Sequence, residues 1–239
     1  AAPAVAAARR GAGDMRLSNL DHDRVTAAVR LAETGTDGEI VTIVAASSDR
    51  YHDVSLHYAV LAMLLVPALL AFRPSVAENI HTRLVDPWAQ AQAPAVGTLF
   101  GIALILMVLV FLLVRLLLAW APLRLAVTPG PTKTRRVRRR ALMLFRAGAE
   151  KRTRGSTGVL LYLSIAEHRA EIIADDAIHS RVAPETWGEA MAAVIAGVRD
   201  DRPGDGMADA VARIGAVLTD HFPRSGKPVN ELPDRLIEL

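Results

Sequence analysis

The chain has 239 residues, 51% hydrophobic and 22% charged, which excludes intrinsic disorder over most of its length. It contains no cysteine, so disulfide frameworks, thiolate nucleophiles and Cys-ligated zinc or iron–sulfur centres are excluded as well. The formal net charge is only +3 while the mean hydropathy is +0.26, so basic and apolar residues must each be concentrated in particular segments.

Residues 1–14 form a low-complexity prefix, expected to be disordered, and Met15 reads as the native start. The first 50 residues hold no apolar run long enough for a cleavable signal peptide. Ser18 followed by Asp21 resembles a capping box, and Val25, Ala28, Val29 and Ala32 then recur at helical spacing. Gly35 ends that helix. Ile40 to Ala45 is a continuous apolar and β-branched run, the pattern of a strand covered on both faces. One helix and one strand cannot hold a core, so this piece needs a partner elsewhere in the chain.

Two long apolar segments follow. Val54 to Phe72 has His57 as its only titratable side chain and Pro67 inside it, which a membrane helix tolerates with a kink. Ala95 to Val114 is 20 residues without a charge. A helix of that length spans about 30 Å, the thickness of a bilayer hydrocarbon core. Arg115 can snorkel, and Trp120 suits the interface. The spacing predicts a transmembrane hairpin over 55–122, with spans at about 54–72 and 95–114.

From Pro122 to Arg140 there are seven basic residues and no acidic one: Arg124, Lys133, Arg135, Arg136, Arg138, Arg139 and Arg140. The loop between the spans balances Arg73 and Arg83 with Glu78 and Asp86. The positive-inside rule therefore puts the C-terminal part in the cytoplasm, and two spans return the N-terminal part to the same side. The run lacks interleaved aromatics for stacking on bases. Anionic lipid headgroups account for it without nucleic acid.

Beyond the basic run, Val137, Ala141, Leu144 and Phe145 mark an amphipathic helix. Gly158 to Ser164 reads as a buried strand, Ala166 to Arg169 as a tight, solvated polar turn, and Ala170 to Ala174 as an antiparallel third strand. Trp187, Met191, Val194, Ile195 and Val198 predict a helix opening near Pro184. Met207, Val211, Ile214 and Leu218 predict another that stops near Phe222-Pro223. Phe222 to Gly226 reads as a linker. Leu232, Leu236 and Leu239 form an apolar stripe in a helical tail, which either docks on its own domain or recruits a partner.

The order is helix, strand, apolar hairpin, helix, strand, strand, helix, helix. The first two strands are joined by a long crossover carrying a helix, as a parallel pair requires. The fold expected is an α/β sandwich of two or three layers with a small mixed sheet. A two-helix transmembrane hairpin interrupts it. Residues 15–54 and 123–222, with a tail at 223–239, make up the α/β part.

Asp175 and Asp176, at the end of the third strand, offer adjacent carboxylates for Ca²⁺ or Mg²⁺ or for acid–base work, against a plain turn-capping role. Asp37 and Glu39, at the entry to the first strand, would complete such an oxygen site if they converge with them. Gly155-Ser156-Thr157-Gly158 has hydroxyls suited to an anion but lacks the lysine and spacing of a P-loop. The histidines (His22, His52, His57, His81, His168, His179 and His221) are scattered and show no metal-ligand spacing.

Thr36 to Val41 after a helix, Gly158 to Ser164, Glu167-His168-Arg169, Glu171 to Asp175 and the ending Asn230 to Asp234 resemble the TPM domain. Closest are its bacterial membrane-bound members, in which a transmembrane hairpin splits the domain. The resemblance covers residues 17–50 and 135–239. It implies an α/β sandwich in the bacterial inner membrane that binds or assists other membrane components. Relatives in that family are linked to acid phosphatase activity, to calcium binding and to an auxiliary role for a receptor channel. Many members carry Asp-Asn-Gly where this chain has Ser156-Thr157-Gly158, a departure that removes one carboxylate.

Overall fold

The computed structural model describes residues 17–85, 95–148, 157–226 and 231–239. The expected disordered prefix lies outside the described residues, as do Gly155, Ser156 and Asn230. The chain forms two compact units. One combines the residues up to Arg50 with Pro129–Leu239, and the other is Tyr51–Thr128.

The first unit is built on α1 (Asn19–Glu33), β1 (Glu39–Ala45), α6 (Gly130–Gly148), β2 (Gly158–Ser164), β3 (Arg169–Ala174) and a short α7 (Asp176–His179). A single 3-10 turn, Pro184–Trp187, then leads into α8 (Gly188–Arg199), followed by α9 (Pro203–His221) and a two-residue β4 (Ile237–Glu238). Ser18 caps α1 reciprocally: its hydroxyl accepts from the Asp21 amide at 3.2 Å, and the Asp21 carboxylate accepts from the Ser18 amide at 2.9 Å.

The sheet order is β3-β2-β1-β4. β1 and β2 pair in parallel from Glu39 opposite Gly158 to Ala45 opposite Ser164. β3 returns antiparallel to β2, and β4 lies parallel to β1 on its other edge.

Both faces of the sheet are covered, which is why β1 and β2 are apolar throughout. On one face Ile40, Val44, Val159, Leu161 and Leu163 pack with Val25 and Val29 of α1 and with Val194, Met207, Ile214 and Leu218 of α8 and α9. On the other face Val41, Ile43, Leu160, Tyr162 and Ile173 pack with Val137, Ala141 and Phe145 of α6 and with Leu232 from the tail. The unit is thus a three-layer sandwich. Each large apolar side chain removed from water contributes about 1.5–3 kcal/mol. Close helix approach depends on glycine where α8 meets α9: a Cβ on Gly197 would stand 2.5 Å from the Gly206 Cα.

The second unit is the apolar hairpin. It comprises α2 (His52–Phe72), α3 (Ser75–Ile80) with a π-helical turn His81–Val85, α4 (Val96–Leu117) and α5 (Ala121–Val127). α2 and α4 are each long and apolar enough to cross a membrane, and only 17% and 6% of their most apolar stretches are buried. Their leucines, valines and phenylalanines point outward. Arg115, expected to snorkel, instead reaches across to α2, where its guanidinium donates to the Ser55 hydroxyl at 2.5 Å. The Ser55 hydroxyl in turn donates to the His52 carbonyl at 2.9 Å. Arg124 donates to the carbonyls of Leu118 and Ala119, at 2.9 and 3.2 Å, and so caps the end of α4.

Candidate functional site

The carboxylates singled out from the sequence gather at one end of the sheet but hold separate partners. Asp175 is buried, and its carboxylate accepts from the Gly158 amide at 3.0 Å while its own amide donates to the Gly158 carbonyl at 3.0 Å. This reciprocal pair locks the end of β3 to the start of β2. Asp176 is exposed as the first residue of α7, so the adjacent carboxylates point into different surroundings. The exposed Asp37 carboxylate accepts from the Ser225 amide and hydroxyl, and these bonds hold its pKa below the usual range. Glu39 is buried and accepts from the Leu232 amide at 3.2 Å; burial pushes its pKa up. Among the described residues, no group of three or more His, Asp or Glu side chains is arranged to hold a metal ion.

Two further groups at this end escaped the sequence reading. Glu33 is the last residue of α1, and its carboxyl accepts from the Ile40 amide at 2.7 Å. Burial, with Glu39 and Asp234 nearby, pushes its pKa up to about 8, against the opposing Ile40 bond and Arg224. The signal was present: Val25, Val29 and Glu33 share one stripe at a spacing of four, so a carboxyl sits where the apolar face continues. Arg224 lies in the stretch expected to be a linker. It donates instead to the carbonyls of Glu33 and Thr36 at the end of α1, while Pro223 bridges to Thr36.

At the opposite end, where the parallel strands finish, the supposed solvated turn is a buried polar knot. Glu167 is only 6% exposed. Its carboxylate accepts from the Ser48 amide at 3.0 Å, the Ser47 hydroxyl at 3.1 Å and the Ser164 hydroxyl. The Tyr162 hydroxyl stands 2.9 Å from the Ser48 hydroxyl, and burial raises the Tyr162 pKa. The turn residue His168 is exposed and takes a left-handed backbone, φ 48°. In open α/β sheets the carboxyl ends of parallel strands are the usual place for ligands. Here the knot also fixes the segment through which β1 continues toward α2.

The basic run lies on α6. Val137, Ala141 and Phe145 face the sheet. Arg135, Arg138 and Arg139 are exposed, and Lys133, Arg136 and Arg140 are half-buried. Arg136 pairs with Asp49 at 2.9 Å. Arg138 and Arg169 draw down the pKa of Glu171 on β3, but burial wins and it stays raised.

The tail is extended, not helical. Leu232 and Leu236 are buried against the sheet unit, Leu239 is exposed, and Ile237–Glu238 forms β4. Pro233 and Pro228 disfavour a helix there, and the free edge of β1 offers the tail backbone partners.

No family model matches the chain, and no curated protein matches it in sequence. Among solved structures it is similar to the NMR structure of the BA42 protein from the psychrophilic bacterium Bizionia argentinensis, at 15% identity and a TM-score of 0.52. The likeness covers 93% of this chain and 94% of that one. At that identity it is a likeness of fold, and the fold is a mixed α/β sandwich.

Proposed function

We propose that the protein is a two-span membrane protein whose α/β unit is a TPM-like, cytoplasmic binding or accessory module for other membrane components. The observation that carries this reading is the outward-facing apolar surface of α2 and α4. No water-soluble chain leaves two 20-residue apolar helices so uncovered without a hydrocarbon phase to receive them. Lys133, Arg135, Arg138 and Arg139 follow α4 in sequence with no intervening acid, the charge pattern of a cytoplasmic exit. Their basic side chains are suited to anionic headgroups, each worth about 1 kcal/mol near such a surface.

The lack of cysteine makes the test direct. Glu78→Cys, between the spans, and Arg139→Cys, on α6, are each introduced singly into bacterial inner-membrane vesicles of known orientation. A membrane-impermeant maleimide should label Glu78→Cys only in right-side-out vesicles and Arg139→Cys only in inverted ones. Labelling of both from the same side overturns the two-span reading. For the accessory role, crosslinking from Arg139→Cys in intact membranes should capture a defined membrane protein. Capture of lipid alone would restrict the module to headgroup binding.

A further inference from the structure

The outer edge of β1 is closed by a set of contacts that the apolar core does not require. The Ile40 amide is taken by the Glu33 carboxyl at 2.7 Å. Further along, the Leu239 amide donates to the Val44 carbonyl at 2.9 Å, and the Ala46 amide donates to the Leu239 carbonyl at 3.2 Å. Between these points the tail is tied by the Leu232 amide to Glu39 at 3.2 Å and by Arg30 to Asp234 at 3.3 Å. Its regular strand is only two residues long. An unprotected edge strand invites foreign pairing, and short strands with inward carboxyls are a known way to close one.

We propose that residues 231–239 form a detachable strap over the β1 edge, latched by the protonated Glu33 carboxyl and released when that carboxyl ionises. The charged groups around Glu33 set the direction. Glu39 on β1 and Asp234 in the strap face it as acids, with Glu231 beside Glu39. Arg224 faces it as a cation, and Arg30 of the same helix is already engaged with Asp234. Ionisation therefore adds a negative charge among acids, half of them on the strap. Opening hydrates these groups and bares the backbone of β1.

The sign is fixed by linkage. The Glu33 pKa is raised to about 8 with the strap closed, and it falls toward an ordinary carboxyl value once the strap opens and water enters. The closed form thus binds the extra proton. It is fully favoured at low pH, weakens by up to about tenfold per pH unit as pH rises, and levels off above the closed-state value. The strap carries a second titratable contact, His22 to Glu238 at 3.3 Å, so the Glu33 variant is needed to separate the two.

The test uses the full chain in mild detergent with carboxypeptidase, which can trim Leu239 only from an open strap. Trimming rates are normalised at each pH to a free peptide of residues 231–239. Between about pH 6 and about pH 9 the native chain should be trimmed faster by roughly 10- to 100-fold. Glu33→Gln keeps the acceptor for Ile40 and should be trimmed slowly at both values. Asp234→Asn, which removes one of the facing acids, should show a smaller rise than the native chain. A flat native profile overturns the proposal. So does an undiminished rise in Glu33→Gln, which would assign the pH dependence to His22 or another group, and so does fast trimming of Glu33→Gln throughout.

Discussion

The two units treat the same side chains in opposite ways. In the sheet unit Leu160, Leu161, Leu163, Ile214 and Leu218 are sealed between layers. In the hairpin unit Leu104, Leu109, Leu112, Leu113 and Leu116 all face outward from one helix. The sheet unit gains stability by hiding apolar area from water. The hairpin needs no such gain from its own packing, because hydrocarbon tails are as apolar as leucine. What joins α2 to α4 is correspondingly specific, with Arg115 bonded to Ser55 near one end of the hairpin. A leucine in one unit is a structural member, and in the other it is a solvent-facing residue whose solvent is lipid.

That contrast can be broken by substitution. The largest effect is expected for Leu218→Ala, at a fully buried site on α9. It should cost about 2–5 kcal/mol, read as a drop in the urea midpoint of the sheet unit in detergent. Next comes Leu109→Arg on the outward face of α4, which should oppose insertion by about 2.5–3.5 kcal/mol. Its measure is the fraction of chain surviving alkaline extraction of membranes, with unchanged survival the adverse result. Glu167→Ala strips the acceptor from three donors in the polar knot and should cost about 1–3 kcal/mol of thermal stability. Glu167→Gln, which retains one acceptor oxygen, should lose less.

A smaller change runs in the opposite direction. Thr42 is completely buried in β1, and its hydroxyl has no hydrogen-bond partner. Thr42→Val should therefore raise the melting temperature, with a gain of about 1 kcal/mol. The smallest effect sharpens the comparison: Leu109→Ala should change detergent stability by less than about 0.5 kcal/mol, because the side chain is 56% exposed. A loss matching that of Leu218→Ala would mean that α4 is packed like a core helix, and would undo the contrast.

Much of the architecture was legible in local pattern. Ile40 to Ala45 and Gly158 to Ser164 read as doubly buried strands, and both are central in the sheet. The Ser18–Asp21 capping box forms as its spacing suggests. The site was far less legible. Glu167 looked like turn chemistry because a carboxylate between Ala166 and His168 carries no local mark of burial; the donors come from Ser47 and Ser48, about 120 residues earlier. The linker and helical tail misled for the same reason. Arg224 and Leu232 find their partners on α1 and β1, from the other end of the chain.

The sequence by itself determined the things that depend on short-range periodicity and composition. These are the two apolar helices, the strand cores, the basic exit after the second apolar helix, and a parallel β1–β2 pair required by the long crossover between them. Only the tertiary structure decided which carboxyls lose their water, which backbone donors they answer, and that the last residues close the sheet edge as a strand. The physical reason is that burial and charge environment are sums over neighbours distant in sequence. Hydrophobic spacing is written within a few residues, whereas the surroundings of Glu33, Glu39, Asp175 and Glu167 are created only when both halves of the chain meet.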